Sequence, residues 1–131
     1  MVEPTRFYPG GGGQPADVGH IGTARGLDVQ TGDGAVVHTT DGAVTGAVTA
    51  TVDAARRLDH MQQHTAQHLL SAIIEDTLDA PTVGFHLGEN TTTIDLARSL
   101  STAELIAAVD RVNTAVRAAR AVRATRATPS Q

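Results

Sequence analysis

The chain has 131 residues, 40% of them hydrophobic, with two phenylalanines, one tyrosine, no tryptophan and no cysteine. That composition excludes a disulfide framework and a thiolate metal site within the sequence, and it leaves the core to Val, Leu, Ile and Ala. The net charge of −4 hides an asymmetry: residues 1–110 hold all fourteen acids and five of the ten arginines, and residues 111–131 hold the other five arginines and no acid. No apolar run approaches the roughly 18 residues of a membrane span. The start, MVEPTRFYPGGGG, lacks the basic and apolar regions of a secretory signal. The expectation is a soluble cytoplasmic protein.

Residues 1–53 read as strands and turns. Val, Thr and Ile alternate between Gly-Asp punctuation in DVGHIG and GDGAVVHTTDGAVTGAVTATVD. Asp33-Gly34 and Asp41-Gly42 are hairpin signals, so a small antiparallel barrel or meander is predicted, with a loop at Gly10 to Gly13 before it. Residues 55–78 change period. Leu58, Met61, Leu69, Ala72 and Ile73 recur at helical spacing, Asp53 offers an N-cap, and Pro81 closes the segment. Residues 82–87 and 91–96 predict a hairpin turning on LGEN. Its alternation puts Val83, Phe85 and Leu87 on one face and Thr82, Gly84 and His86 on the other. A last helix opens on a capping box, Ser101 to Glu104, carries a stripe of Leu105, Val109, Val112 and Val116, and runs on to Pro129. Strands, helix, hairpin and helix in that order argue an α+β fold with helices on one face of an antiparallel sheet.

Three of the six histidines, His60, His64 and His68, stand four residues apart in HMQQHTAQHLL. A step of four turns a side chain by only about 40°, so neighbouring imidazoles can converge on one ion. Histidines on a helix are also ordinary surface residues, and HxxxH alone is a weak signal. The HExxH pattern is absent, so a Glu-based metalloprotease lacks its general base. The five C-terminal arginines, Arg111, Arg117, Arg120, Arg123 and Arg126, spread along a helix, form either a phosphate-binding stripe or a solvated face balancing an acidic body.

Three segments in this order, TRFYPGGGGQPADVGHIG (5–22), RRLDHMQQHTAQHLLSA (56–72) and TVGFHLGENTTTIDL (82–96), resemble the alanyl-tRNA editing proteins, the AlaX family related to the editing domain of alanyl-tRNA synthetase. The resemblance implies a glycine-rich, small β-barrel-like subdomain over 1–53. Over 54–131 it implies the first half of a helix-on-antiparallel-sheet, threonyl/alanyl-tRNA synthetase-type editing domain. It implies hydrolysis of tRNA(Ala) mischarged with serine, or with glycine, because a small pocket rejects a near-isosteric amino acid poorly and a second site must clear the errors. It implies Zn2+ held by HxxxH, here His64 and His68, and by a CxxxH pair. Thr82 stands where the family reads the serine hydroxyl, and is otherwise an ordinary strand residue. Gly11, Gly12, Gly13 and Gln14 match the supporting glycine-rich motif, where Gln14 and Asp17 either make specific loop contacts or only stabilise the turn. Gln67 lies between the ligands, where it could approach substrate. His60 matches a non-ligand, and His20, His38 and His86 read as solvated or structural.

The sequence departs from the family in having no CxxxH. Two histidines cannot close a tetrahedral zinc site; His60, His86 or a partner chain would have to complete it. The reading is therefore of an incomplete editing protein, starting almost at the glycine motif. It is expected either to act as a trans-editing deacylase or to be a truncated non-catalytic remnant with weak zinc or tRNA binding. An exposed sheet edge would invite self-association.

Overall fold

The computed structural model describes residues 5–88 and 91–123. It is α+β, with strands β1 (Gly19–Ile21), β2 (Ala24–Gly32), β3 (Ala35–Thr40) and β4 (Ala50–Val52), helix α1 (Ala54–Leu78), strands β5 (Thr82–Leu87) and β6 (Thr92–Leu96), and helix α2 (Thr102–Arg117). The first four strands form one antiparallel sheet in the order β3-β2-β1-β4, and β5 and β6 pair separately. Three strands follow one another as hairpins and the fourth returns to the far side of β1, a Greek-key order.

Asp33 and Gly34 both take positive φ, 50° and 76°, and make the tight turn between β2 and β3. Asp41-Gly42 makes no hairpin, contrary to its sequence signal, because β4 pairs with β1 rather than β3. Asp41 instead ties the crossing connection to β2: its carboxylate accepts from the Arg25 N–H at 2.7 Å, and its own N–H donates to the Arg25 carbonyl at 3.1 Å. Phe7, Ile21 and Val29 form the core here, with Ala16, Val36, Val44 and Val52 packed around them.

α1 starts where Asp53 accepts a hydrogen bond from the Arg56 N–H at 3.0 Å, and ends on Asp79 in the left-handed region. Its inward face is not the expected one. Leu58 and Met61 are exposed, while the helix buries His60, Gln67 and Ile74. The apolar stripe governs only the second half, where Ile74 packs with Ala80 and Ala108 inside a shell of Leu70, Ile73, Leu78, Leu96 and Leu100. In the first half α1 turns its polar edge inward.

The β5–β6 hairpin carries a second correction. Thr82 pairs with Leu96 and Gly84 with Asp95, so Val83 is an extra residue in β5. A bulge of this kind breaks the two-residue alternation. Val83 is thrown outward, 68% exposed. Thr82 and Phe85, predicted on opposite faces, both contact α1.

α2 opens on the expected capping box. Ser101 Oγ accepts from the Glu104 N–H at 3.3 Å and Glu104 Oε2 accepts from the Ser101 N–H at 2.8 Å. Its buried residue is Ala108, whose small side chain lets α1 approach; Leu105, Val109 and Val116 of the predicted stripe are exposed. The helix stops at Arg117, with Ala119 at φ 47°. Arg120 and Arg123 therefore lie past its end and do not continue a helical stripe. Arg126, Pro129 and the Glu89-Asn90 part of the LGEN turn fall outside the described residues. Among the described residues no helix is long and apolar enough to cross a membrane.

Candidate functional site

The glycine-rich loop, α1 and β5 meet at one place. Gly11 and Gln14 exchange backbone hydrogen bonds of 3.0 and 3.1 Å around Gly12 and Gly13, whose φ values of 59° and 81° only glycine adopts without strain. Gly13 then lies flat on β5. The Leu87 N–H donates to its carbonyl at 2.9 Å, and a Cβ on Gly13 would stand 2.9 Å from the Phe85 ring and 3.0 Å from the Phe85 carbonyl. The loop is anchored behind by Asp17, which is buried. Asp17 Oδ2 accepts from the Tyr8 N–H at 2.6 Å and forms an ion pair with Arg57 on α1. That carboxylate, by its hydrogen bond, raises the Arg57 pKa, and Arg57 also donates to the Arg6 carbonyl at 2.5 Å. Asp17 is thus a specific loop contact, and it clamps the loop to the helix across forty residues of sequence.

The clamp delivers Gln14 to the histidine pair, so Gln14 too makes a specific contact. Gln14 Oε1 lies 2.7 Å from His64 Nδ1. An amide oxygen only accepts, so Nδ1 carries the proton and Nε2 offers a lone pair that accepts from His68 Nε2–H in the absence of an ion. That Nε2 sits 2.9 Å from His68 Nε2. Two imidazole nitrogens on one tetrahedral zinc lie about 3.3 Å apart, so the pair is close to what such an ion needs, with the tautomer of His64 set from outside as metal-binding histidines usually have it. Burial, and then the neighbouring His68, lower the His64 pKa, which favours the neutral ligating form. Phe85 lies against both rings, with centroids 5.9 Å from His64 and 6.2 Å from His68, while His68 stays exposed.

The pair is half a site. Among the described residues no group of three or more His, Cys, Asp or Glu side chains could hold a metal ion, so neither His60 nor His86 completes it, contrary to what the sequence allows. His60 is buried, 2% exposed, with Nδ1 unpartnered. His86 is exposed between Phe85 and Leu87, on the other side of β5. His20 is exposed, and His38 packs edge-on against Phe7 at 5.2 Å.

Gln67 is 5% exposed and its Oε1 has no partner. Its Nε2 donates to Ser71 Oγ at 2.9 Å, and Thr82 Oγ1 donates to the same oxygen at 2.8 Å. Ser71 is the residue that the sequence reading passes over. A signal is present: 64, 67, 68 and 71 lie on one helical face, and each carries a polar side chain. Beside the glycine loop, a cleft of about 430 Å³ is lined by Gly13, Gln14, Pro15, Arg56, His86 and Leu87. A groove of about 750 Å³ on the first sheet, lined by Ile21, Val36, His38, Val44 and Val48 among others, is larger but holds none of this chemistry.

No protein-family model matches the chain. It is 38% identical over 120 residues to the alanyl-tRNA editing protein Aarsd1 of Bos taurus, covering 89% of this chain and 27% of that protein. It is 31% identical over 142 residues to the putative alanyl-tRNA editing protein alaX of Saccharomyces cerevisiae, covering 88% of this chain and 31% of that one. A shorter match, 44% over 75 residues, joins 53% of the chain to 8% of the alanine–tRNA ligase of Natronomonas pharaonis. The chain thus spans less than a third of the length of the editing proteins it matches.

Proposed function

Because this chain belongs to the alanyl-tRNA editing family, we propose that it acts on tRNA(Ala) carrying the wrong amino acid, serine before glycine, by hydrolysis of the aminoacyl ester. The observation that supports this best is the histidine pair held by Gln14, with Nε2 of His64 and His68 converging at 2.9 Å. The pair would hold two of the four positions of a zinc ion. Bound there, zinc supplies Lewis acidity at the ester end of the substrate. The chain's own residues do the rest. Gln14 fixes the His64 tautomer, Phe85 packs against both imidazoles, and Thr82 Oγ1 is available to a substrate hydroxyl. Alanine offers no such hydroxyl and is disfavoured where the acceptor would stay unpaired.

The test is deacylation of Ser-tRNA(Ala) by the chain with added zinc, against His64→Ala and His68→Ala. Activity that survives both substitutions excludes the pair. The absence of a third ligating side chain among the described residues favours a second reading, a non-catalytic form that binds zinc or tRNA weakly. Binding of Ser-tRNA(Ala) without turnover at any zinc concentration would support it. The exposed apolar residues of α2 and the open side of β3 favour the expected self-association, which light scattering measures.

A further inference from the structure

We propose that Ser71 is the positioning residue that makes Thr82 a reader of hydroxyl donors. The proposal deepens the serine-editing reading and rests on it for the identity of the ligand. Ser71 Oγ takes two hydrogen bonds at once, from Gln67 Nε2 at 2.9 Å and from Thr82 Oγ1 at 2.8 Å. Other hydroxyls on the two helices behave differently. Thr65, Thr77 and Thr114 donate to the carbonyls of Met61, Ile73 and Asp110, four residues back on their own helices, the usual fate of a helical hydroxyl. Ser71 instead joins α1 to β5.

Thr82 has one hydroxyl proton, and the contact with Ser71 uses it. What remains on Oγ1 are lone pairs, and among the described residues no donor reaches them. The same hydroxyl holds Gln67 by its Nε2, which leaves Gln67 Oε1, on a side chain 5% exposed, as a second acceptor without a partner. The buried Gln67 Oε1, without a partner, is costly in the free protein, and it and the spare lone pairs of Thr82 Oγ1 both suit a ligand that donates. The hydroxyl and the α-ammonium of a seryl group are such donors. The bulge at Val83 makes this possible, since it brings Thr82 to the α1 side that also carries Phe85. Ser71 touches no reacting atom in this scheme; it acts through Thr82.

The experiment has two arms on the full chain. The first needs no ligand. Three-bond NMR couplings report the Thr82 χ1 rotamer, expected single in the parent, averaged in Ser71→Ala and single again in Ser71→Thr. An unchanged rotamer in Ser71→Ala overturns the proposal. The second arm compares binding of amide-linked 3′-seryl, 3′-alanyl and 3′-(β-fluoroalanyl) aminoadenosine. The parent is expected to prefer the seryl compound by about tenfold, Ser71→Ala to lose that preference with alanyl affinity unchanged, and Ser71→Thr to restore it. Fluorine is near hydroxyl in size but donates nothing, so the fluoro compound should bind like the alanyl one; binding like the seryl one overturns the acceptor role. A freed rotamer with the seryl preference intact also overturns the proposal. A parent without any preference, whose Thr82 is still freed by Ser71→Ala, defeats the serine reading and leaves the hold of Ser71 on Thr82 supported.

Discussion

The two ends of the molecule bury opposite things. The first sheet closes over Phe7, Ile21 and Val29, apolar side chains that face one another across the strands. The helical layer closes over Ile74, Ala80 and Ala108 at one end of α1, but at the other end it buries His60 and Gln67 while Leu58 and Met61 stay in water. At the centre of the sheet core inward position and hydrophobicity agree, although beside it Asp17 is buried and His38 packs against Phe7 with both ring nitrogens buried and unpartnered. Along the first half of α1 they disagree, and a fold tolerates such disagreement mainly where polar groups are needed. The site sits at the middle of the helix, from His64 to Ser71, where this polar edge meets the apolar second half.

The largest effects should come from the two cores and should touch stability first. Phe7→Ala removes the phenylalanine at the centre of the sheet core and should cost about 3–5 kcal/mol; Ile74→Ala should cost about 2–5 kcal/mol. Urea unfolding followed by circular dichroism measures both. If Ile74→Ala costs much less than about 2 kcal/mol, the helical layer has no stabilising core and the contrast between the ends fails.

Gly13→Ala tests the joint between the regions. Its Cβ would meet Phe85 at 2.9–3.0 Å with φ fixed at +81°, a strain of about 1–3 kcal/mol. The loop can relieve it only by lifting off β5, which takes Gln14 away from His64. Zinc binding by the parent is expected at micromolar Kd or weaker in calorimetry, because only two ligands are present, and should vanish in His64→Ala and in His68→Ala. Gly13→Ala and Gln14→Ala should each weaken it about 10–100-fold, the usual cost of losing a ligand's orienting partner. Equal affinity in Gln14→Ala would show that the loop only packs.

Gln67→Leu sharpens the comparison by separating the two roles. It replaces a buried amide whose oxygen is unpaired with an apolar group of similar size. Stability should hold or rise by about 1 kcal/mol, while any deacylation falls. The same change at a satisfied core position could not stabilise. A loss of about 2 kcal/mol or more would mean that Gln67 is structural.

How much of this is legible in the sequence follows from what sets each feature. The limits of α1, its Asp53 cap, the hairpin of 82–96 and the capping box of α2 are local, and local chemistry determines them: side-chain oxygens near free N–H groups, and a change of period from two to between three and four. The approach of Gln14 to His64 spans fifty residues, and nothing in spacing reports it; only the glycine run hints that the loop must lie against something. The bulge at Val83 is invisible to alternation because alternation assumes its absence, and so periodicity puts Thr82 on the wrong face. The inward face of α1 escapes for the same kind of reason. The helical spacing of apolar side chains favours Leu58 and Met61, but the loop and hairpin pack on the polar edge. The end of α2 at Arg117 escapes because the Ala- and Arg-rich segment beyond it has good helix formers and no breaker before Pro129. Of the described residues beyond Arg117, Val122 is left exposed, so packing does not extend the helix there.

The smallest effect concerns the start of α2, where the helical layer gets by with local interactions instead of a deep core. The hydrogen bond from Arg98 and those from the Ser101 backbone and hydroxyl lower the Glu104 pKa from its ordinary 4.5 to about 2. A carboxyl whose pKa is lower in the folded state stabilises the fold when it is ionised in both states, above about pH 4.5. That stability shrinks as pH falls through the window between 4.5 and about 2, because the unfolded chain takes up the proton first. The melting temperature of the parent should therefore exceed that of Glu104→Gln at about pH 6, and the gap should narrow below about pH 4.5 and close near pH 2. The group is solvent-accessible, so salt should shrink the Arg98 share of the gap and leave the capping share. Ser101→Ala, which removes the cap itself, should cost about 0.5–2 kcal/mol at the same neutral-side pH. A gap between parent and Glu104→Gln that stays constant from about pH 6 to about pH 2 would show that the carboxylate does not hold the helix start. α2 would then depend on its contact with α1 through Ala108, as the sheet depends on its core.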